Sequence, residues 1–335
     1  MAFLDRGFSL KVGLLLAVST FSRSNALLNI GFVAYKAAKK IVMECIMYKS
    51  LKKVQKHELS TTVANIIGDA LFPSLFCTLI ALFPFLFYQW YGFTLFCGLT
   101  KMNLNYDQQV IDYAHNESWK LPSHEPSEWC FYQIPMPYSY IQNHYWDNGL
   151  FNYFLFKQIP NFVLASPIIS FVIYQSWRFV KHHKNHCLKL GLGMPESNNS
   201  NYDTYGVKTL PREAFVYVIH AVFLAIFAFL FMHVQVATRL IASSTPVIYW
   251  WIAILTTPPD VKPRSKNSGY GEAMKQPRIE ILSQLESPEN LKSHWKNLVI
   301  DERPKMSKEG VWILNYCVGY AFIGTIVFAN FGPWT

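Results

Sequence analysis

Charge is what this chain has least of. Asp, Glu, Lys and Arg supply 15% of its 335 residues, against roughly 25% in ordinary soluble domains, and that scarcity excludes both a conventional water-soluble chain and a disordered one. Acidic groups are the scarcer sign, 21 against 30 basic ones, which leaves a formal net charge of +9. A basic balance of this size fits nucleic acid in principle, but no compact basic fold is left to carry it once the apolar stretches are set aside, so no nucleic-acid partner is expected. The six cysteines, Cys45, Cys77, Cys97, Cys130, Cys187 and Cys317, are too few and too scattered for a disulfide scaffold. Also missing are a phosphate-binding glycine loop, a nucleophile elbow and a paired-cysteine metal site. No metal and no cofactor are therefore expected. No internal repeat relates one half of the chain to the other, which argues against an inverted-repeat transporter. The apolar run near Met1 lacks the small-residue cleavage site of a secretory leader.

Apolar residues are abundant, 51% of the chain with 16% aromatic, and they come in long blocks. A helix needs roughly 20 apolar residues to cross a bilayer core about 30 Å thick. Residues 8–35, 70–91, 159–180, 214–235, 240–255 and 311–331 reach or approach that length. The expected fold is all-α: a single polytopic transmembrane domain over residues 1–335. Two of the blocks are interrupted, the first by Arg23, Ser24 and Asn25 and the fifth by Ser243, Ser244 and Pro246. Polar backbone at membrane depth survives only where protein or a watery cavity satisfies it, so both breaks point to an internal site. The plainer alternative is a loop between two short helices at each.

Orientation follows from Lys and Arg. Loop 36–69 carries Lys36, Lys39, Lys40, Lys49, Lys52, Lys53 and Lys56 and is expected to be cytosolic, as are loops 181–213 and 256–310. Loop 92–158, with few lysines and several acids, then faces the opposite compartment, together with both polar breaks and the C-terminal residues. If that compartment is the secretory lumen, Asn116-Glu117-Ser118 is a glycosylation acceptor, whereas Asn198 stays bare. Cys97 and Cys130 share the same oxidising loop. Bridging them would contribute on the order of 3 kcal/mol by chain entropy, the alternative being two unlinked thiols.

Ionisable groups inside a membrane cost at least about 2.5 kcal/mol and are candidate sites by default. Arg23 and Asn25 interrupt the first block, and Gln235 and Arg239 fall one helical turn apart at the luminal end of the fourth. An arginine fork suits a phosphate at membrane level. Against this, Arg239 simply snorkels to the headgroups and Arg23 occupies a turn. His220 reads first as a packing histidine. The aromatics of the luminal loop, among them Trp129, Tyr138, Tyr140 and Trp146, suit sugar stacking and equally an interfacial belt. The cluster His182, His183, His186 and Cys187 sits among lysines and reads as a juxtamembrane basic patch rather than a zinc site.

Several runs also carry a family resemblance. FSRSNALLNIGF (21–32), EWCFYQIPMPYSYIQNHYWDNG (128–149), FKQIPNFVLASP (156–167), the long run 215–250 and the terminal NFGPWT (330–335) resemble, in order, the GPI mannosyltransferase II family, or phosphatidylinositol-glycan class V. The resemblance implies a GT-C glycosyltransferase of the endoplasmic-reticulum membrane. Such an enzyme transfers the second mannose, α-1,6-linked, from dolichol-phosphate-mannose to a glycosylphosphatidylinositol precursor on the luminal side. Its partners would be the lipid-linked donor, the lipid acceptor and a small stabilising membrane subunit. With the resemblance in hand, the expected substrate-binding residues are Arg23, Asn25, Trp129, Tyr140, Gln142, Trp146, Gln158, Asn161, His233, Gln235 and Arg239. The arginines would face the dolichyl phosphate, and the aromatics and amides the sugars. Family members extend further at the N-terminus, so the acidic residue expected to act as base lies upstream of Met1, and the catalytic carboxylate is assigned to no residue of this sequence. Asp147 is the best remaining luminal acid, for structure or acceptor binding. The alternative is a catalytically inactive, truncated relative that binds lipids or partners in the membrane.

Overall fold

The computed structural model describes residues 10–51, 56–98, 105–123, 126–192, 209–233, 236–257 and 306–329. Gln235, Asn198, the terminal run 330–335 and most of the loop 256–310 lie outside the described residues. Among the described residues there is no strand. The helices are α1 (Leu10–Ser22), α2 (Ile30–Leu51), α3 (Lys56–Phe96), α4 (Gln108–Asn116), α5 (Pro137–His144), α6 (Ile159–His182), α7 (Lys184–Leu188), α8 (Phe215–Phe231), α9 (Ala237–Ser244), α10 (Val247–Thr256) and α11 (Lys308–Ala329). The protein is an all-α membrane protein. Among the described residues three helices are long and apolar enough to cross a bilayer: Ala64–Phe96, Phe156–His182 and Arg212–Phe231.

At Pro73 and Pro167, inside the long helices, another group takes over the freed carbonyl. Proline has no N–H to give the carbonyl four residues back. Below Pro73 in α3 that carbonyl belongs to Asp69, and Lys40 Nζ donates to it at 3.2 Å. Below Pro167 in α6 it belongs to Val163, and Ser166 Oγ donates to it at 2.9 Å. In α3 this leaves Phe72, Leu75, Leu79, Phe83 and Phe87 exposed along a helix that is apolar all round, as a lipid-facing span should be.

Two packing units result. Helices α1 and α2 lie along α3. The second unit buries its core between α6, α8, α9, α10 and α11. There Ala221, Ala225 and Ala228 form one stripe of α8 with no exposed surface, since small side chains let helices approach closely where lipid supplies no hydrophobic driving force. Gly310 serves the same purpose at the start of α11, where a Cβ would run into the carbonyl of Leu255 at the end of α10. At the same end, Arg178 Nη1 of α6 donates to Glu309 Oε2 of α11 at 2.6 Å.

Each interrupted block is divided into two helices. The first divides into α1 and α2 around a 3-10 turn at Ser24–Asn29, with Arg23 extended at φ −151°. The second divides into α9 and α10 around an extended Thr245 at φ −131°. One expectation needs correction. The sequence predicts one helix running from the fourth block on to Arg239, whereas α8 ends at Phe231, Met232 is extended at φ −122°, and Arg239 belongs to α9.

Candidate functional site

The two polar breaks meet. Arg23 Nη1 donates to Ser243 Oγ at 3.2 Å, and Asn25 Nδ2 donates to Ser244 Oγ at 3.0 Å. Ser24 Oγ lies 2.7 Å from the Tyr138 hydroxyl of α5. Each side supplies what the other lacks. The extended residue between α1 and the 3-10 turn turns three consecutive side chains outward, and the C-terminus of α9 presents two hydroxyls in a row. The short amphipathic helix α5 closes the junction and is itself fixed to α3, because the Tyr138 N–H donates to Gln89 Oε1 at 3.1 Å.

The electrostatics of this junction favour an anion. Arg239 and Ser243 are four residues apart on α9 and so share a face, and Ser243 is the residue that Arg23 reaches. Two guanidinium groups therefore flank one face of α9. Both arginines are exposed, and among the described residues neither pairs with a carboxylate. Two buried polar atoms close by have no hydrogen-bond partner, Thr245 Oγ1 at the break and Nε2 of Gln89 behind α5. Such atoms are uncommon and mark places where a water or a ligand group completes the structure.

A second network joins the connection between α8 and α9 to the loop between α5 and α6. The His233 Nε2 lies 2.6 Å from the Trp146 carbonyl oxygen and its ring centroid 4.6 Å from that of Tyr153. Asn161 Nδ2 donates to the Tyr153 hydroxyl at 2.7 Å and to Gln158 Oε1 at 2.6 Å. Four residues expected at the site, Trp146, Gln158, Asn161 and His233, thus belong to one cluster. Burial pushes the Tyr153 hydroxyl's pKa up, while the Asn161 hydrogen bond opposes the shift.

The remaining candidates are divided between pocket and fold. Tyr140 stacks on His144 with centroids 4.9 Å apart, and both line a cavity of about 440 Å³ with Trp119, His115 and Glu128. Burial raises the Tyr140 pKa, and the Glu128 charge adds to it. Trp129 is 3% exposed and packs 6.3 Å from the Phe93 ring, so its place is in the core beneath the loop. Next to it, Cys97 and Cys130 are joined by a disulfide. Gln142 Oε1 accepts from Asn148 Nδ2 at 2.7 Å, within a turn that also places Asp147 at φ +48°. Asp147 Oδ1 accepts from Asn152 at 3.3 Å. Asn116 is exposed at the end of α4.

Sequence reasoning passed over Gln89, Trp119 and Glu128. For Gln89 the signal was available, a lone amide inside an otherwise apolar run. Trp119 and Glu128 carry no such signal, since only the fold of the loop brings them to Tyr140.

Comparison with known proteins adds the following. A family model described as Mannosyltransferase (PIG-V) matches residues 1–335. GPI alpha-1,6-mannosyltransferase 2 of Homo sapiens is 32% identical over 346 residues, a match that takes in 100% of this chain and 64% of that protein. The protein of the same name from Cricetulus griseus is 32% identical over 345 residues, with 100% and 64% covered. GPI mannosyltransferase 2 of Drosophila melanogaster is 28% identical over 330 residues, covering 97% of this chain and 58% of that protein. The chain thus spans somewhat less than two thirds of the length of these relatives. No solved structure matches.

Proposed function

From this chain's membership of the PIG-V mannosyltransferase family, we propose that it acts in GPI-anchor assembly, transferring mannose from dolichol-phosphate-mannose to a glycosylphosphatidylinositol precursor in α-1,6 linkage at the luminal face of the endoplasmic reticulum. The observation that carries this reading is the Arg23–Ser243 contact, which sets Arg23 beside the face of α9 that holds Arg239. A lipid phosphate lying at membrane level needs cationic forks at that depth.

In the transfer, a hydroxyl oxygen of the acceptor sugar attacks C1 of the donor mannose. The bond from C1 to the phosphate oxygen breaks, its electron pair leaves with dolichyl phosphate, and the hydroxyl proton passes to a carboxylate base. Arg23 and Arg239 would neutralise the phosphate as charge builds on it. The aromatic cavity of Tyr140 and Trp119 offers ring faces and polar edges for the acceptor glycan. No carboxylate among the described residues is hydrogen-bonded to the junction, and the base is assigned to none of them.

The test is the return of GPI-anchored proteins to the surface of cells that lack the second GPI mannosyltransferase. Rescue by this chain, with at least about tenfold loss for Arg239→Ala, supports the reading. Equal rescue by the variant removes the arginine's role. Failure of the unsubstituted chain favours a lipid- or partner-binding relative.

A further inference from the structure

Residues 97–155 join two spans, Ala64–Phe96 and Phe156–His182. The helices inside that segment, α4 with 9 residues and α5 with 8, are far short of the roughly 20 that a crossing needs, so the whole segment lies on one side of the bilayer. It holds the disulfide between Cys97 and Cys130, a bond that persists in an oxidising compartment and not in the cytosol. It also holds Asn116-Glu117-Ser118, an acceptor tripeptide for an N-linked glycan.

Asn116 is the last residue of α4, and the turn that follows is closed by backbone alone. The Glu117 N–H donates to the Tyr113 carbonyl at 3.0 Å, the Ser118 N–H to that of His115 at 3.2 Å, and the Trp119 N–H to that of Ala114 at 2.7 Å. Asn and Ser at a turn commonly bond their side chains to the local backbone. Here neither side chain makes a hydrogen bond among the described residues, and both residues are exposed. Helical spacing fixes where the amide points. Ile111, Ala114 and His115 form the face of α4 that lines the cavity of Tyr140, and Asn116 stands about 150° around the helix from the middle of that face. It shares the outward side with Gln109, Asp112 and Tyr113, which are exposed as well.

We propose that Asn116 carries an N-linked oligosaccharide. Its amide nitrogen attacks C1 of an oligosaccharide held on a lipid diphosphate, the reaction that the cell's oligosaccharyltransferase catalyses. The bond from C1 to the diphosphate oxygen breaks, its electron pair leaves with the lipid diphosphate, and the proton given up by the nitrogen passes to a base of that enzyme. The Ser118 hydroxyl, which the fold leaves unengaged, is the second polar group that the acceptor motif requires. The glycan extends from the outward side of α4, away from the cavity. The site shares no residue with the polar junction and stands whether or not the proposed transferase activity holds.

The full chain, expressed in eukaryotic cells and recovered from their membranes, should run with a mobility shift that peptide-N-glycosidase F removes. Digestion in heavy-oxygen water should place the heavy oxygen at position 116. Asn116→Gln and Ser118→Ala should each abolish the shift completely. Ser118→Thr, which keeps the hydroxyl, should retain it, and Asn198→Gln, at the second acceptor tripeptide of the sequence, should leave it unchanged. A membrane-integrated chain without a glycosidase-sensitive shift overturns the proposal, as does a shift that survives Asn116→Gln.

Discussion

The side-chain amide of Asn25 donates to the hydroxyl of Ser244 at 3.0 Å, although 219 positions separate the two residues. Neither residue is apolar, and each interrupts a block that would otherwise read as continuous membrane helix. Their contact makes two local defects into one polar junction, and Arg23, with Ser243, and Ser24, with Tyr138, extend it on either side.

Asn25→Ala and Ser244→Ala should each lower the thermal stability of the detergent-solubilised protein by about 1 kcal/mol, the usual net worth of such a bond. The double variant should lose little more than either single one, since the two changes remove the same interaction. Thermal unfolding of all four proteins measures the coupling, and strictly additive losses would mean that the contact is not made.

The disulfide between Cys97 and Cys130 fastens the end of α3 to the buried Trp129 turn. Cys97→Ser should destabilise by about 3 kcal/mol through the loop released in the unfolded chain. In the unsubstituted protein, thiol labelling after denaturation without reductant should leave these two cysteines unmodified while it reaches Cys45, Cys77, Cys187 and Cys317.

Helix α11 depends on a close approach to α10. Gly310→Ala places a methyl group against the Leu255 carbonyl, and overpacking of this kind costs about 1 to 3 kcal/mol. Glu309→Gln should cost about 2 kcal/mol by a different route, through loss of the charge-assisted bond to an Arg178 that is only 9% exposed. Limited proteolysis should detach α11 more readily in both variants than in the parent.

Stability should also fall in mild acid. Burial holds the His183 pKa below its ordinary 6.5, with the Leu210 carbonyl raising it and the charges of His182 and His186 lowering it further. The Nε2 lies 3.0 Å from that carbonyl oxygen and donates to it. A depressed histidine pKa means that the unfolded chain takes up its proton first. The contribution is therefore complete above pH 6.5 and lost as pH falls from there through the folded-state value. His183→Asn should flatten the decline in melting temperature between about pH 7.5 and about pH 5.

Much of this architecture is legible in the residues themselves. Long apolar runs announce the spans, and Arg23-Ser24-Asn25 and Ser243-Ser244-Thr245-Pro246 mark where helices stop. What could not be read is the end of α8. The run from Met232 to Arg239 contains neither glycine nor proline and has the composition of a helix. Its break is a tertiary effect, stabilised where His233 meets the Trp146 carbonyl and the Tyr153 ring. Trp129 was similarly illegible, because an aromatic next to prolines reads as an exposed platform until the disulfide and Phe93 are seen to enclose it.

The most direct test is to replace Asn25 and Ser244 by cysteine in one chain and oxidise it in intact membranes. The account predicts an intramolecular disulfide between the two positions, and labelling of both reduced thiols by an impermeant maleimide from the same, non-cytosolic side. Absence of the cross-link, with the two thiols labelled from opposite sides of the membrane, would contradict it.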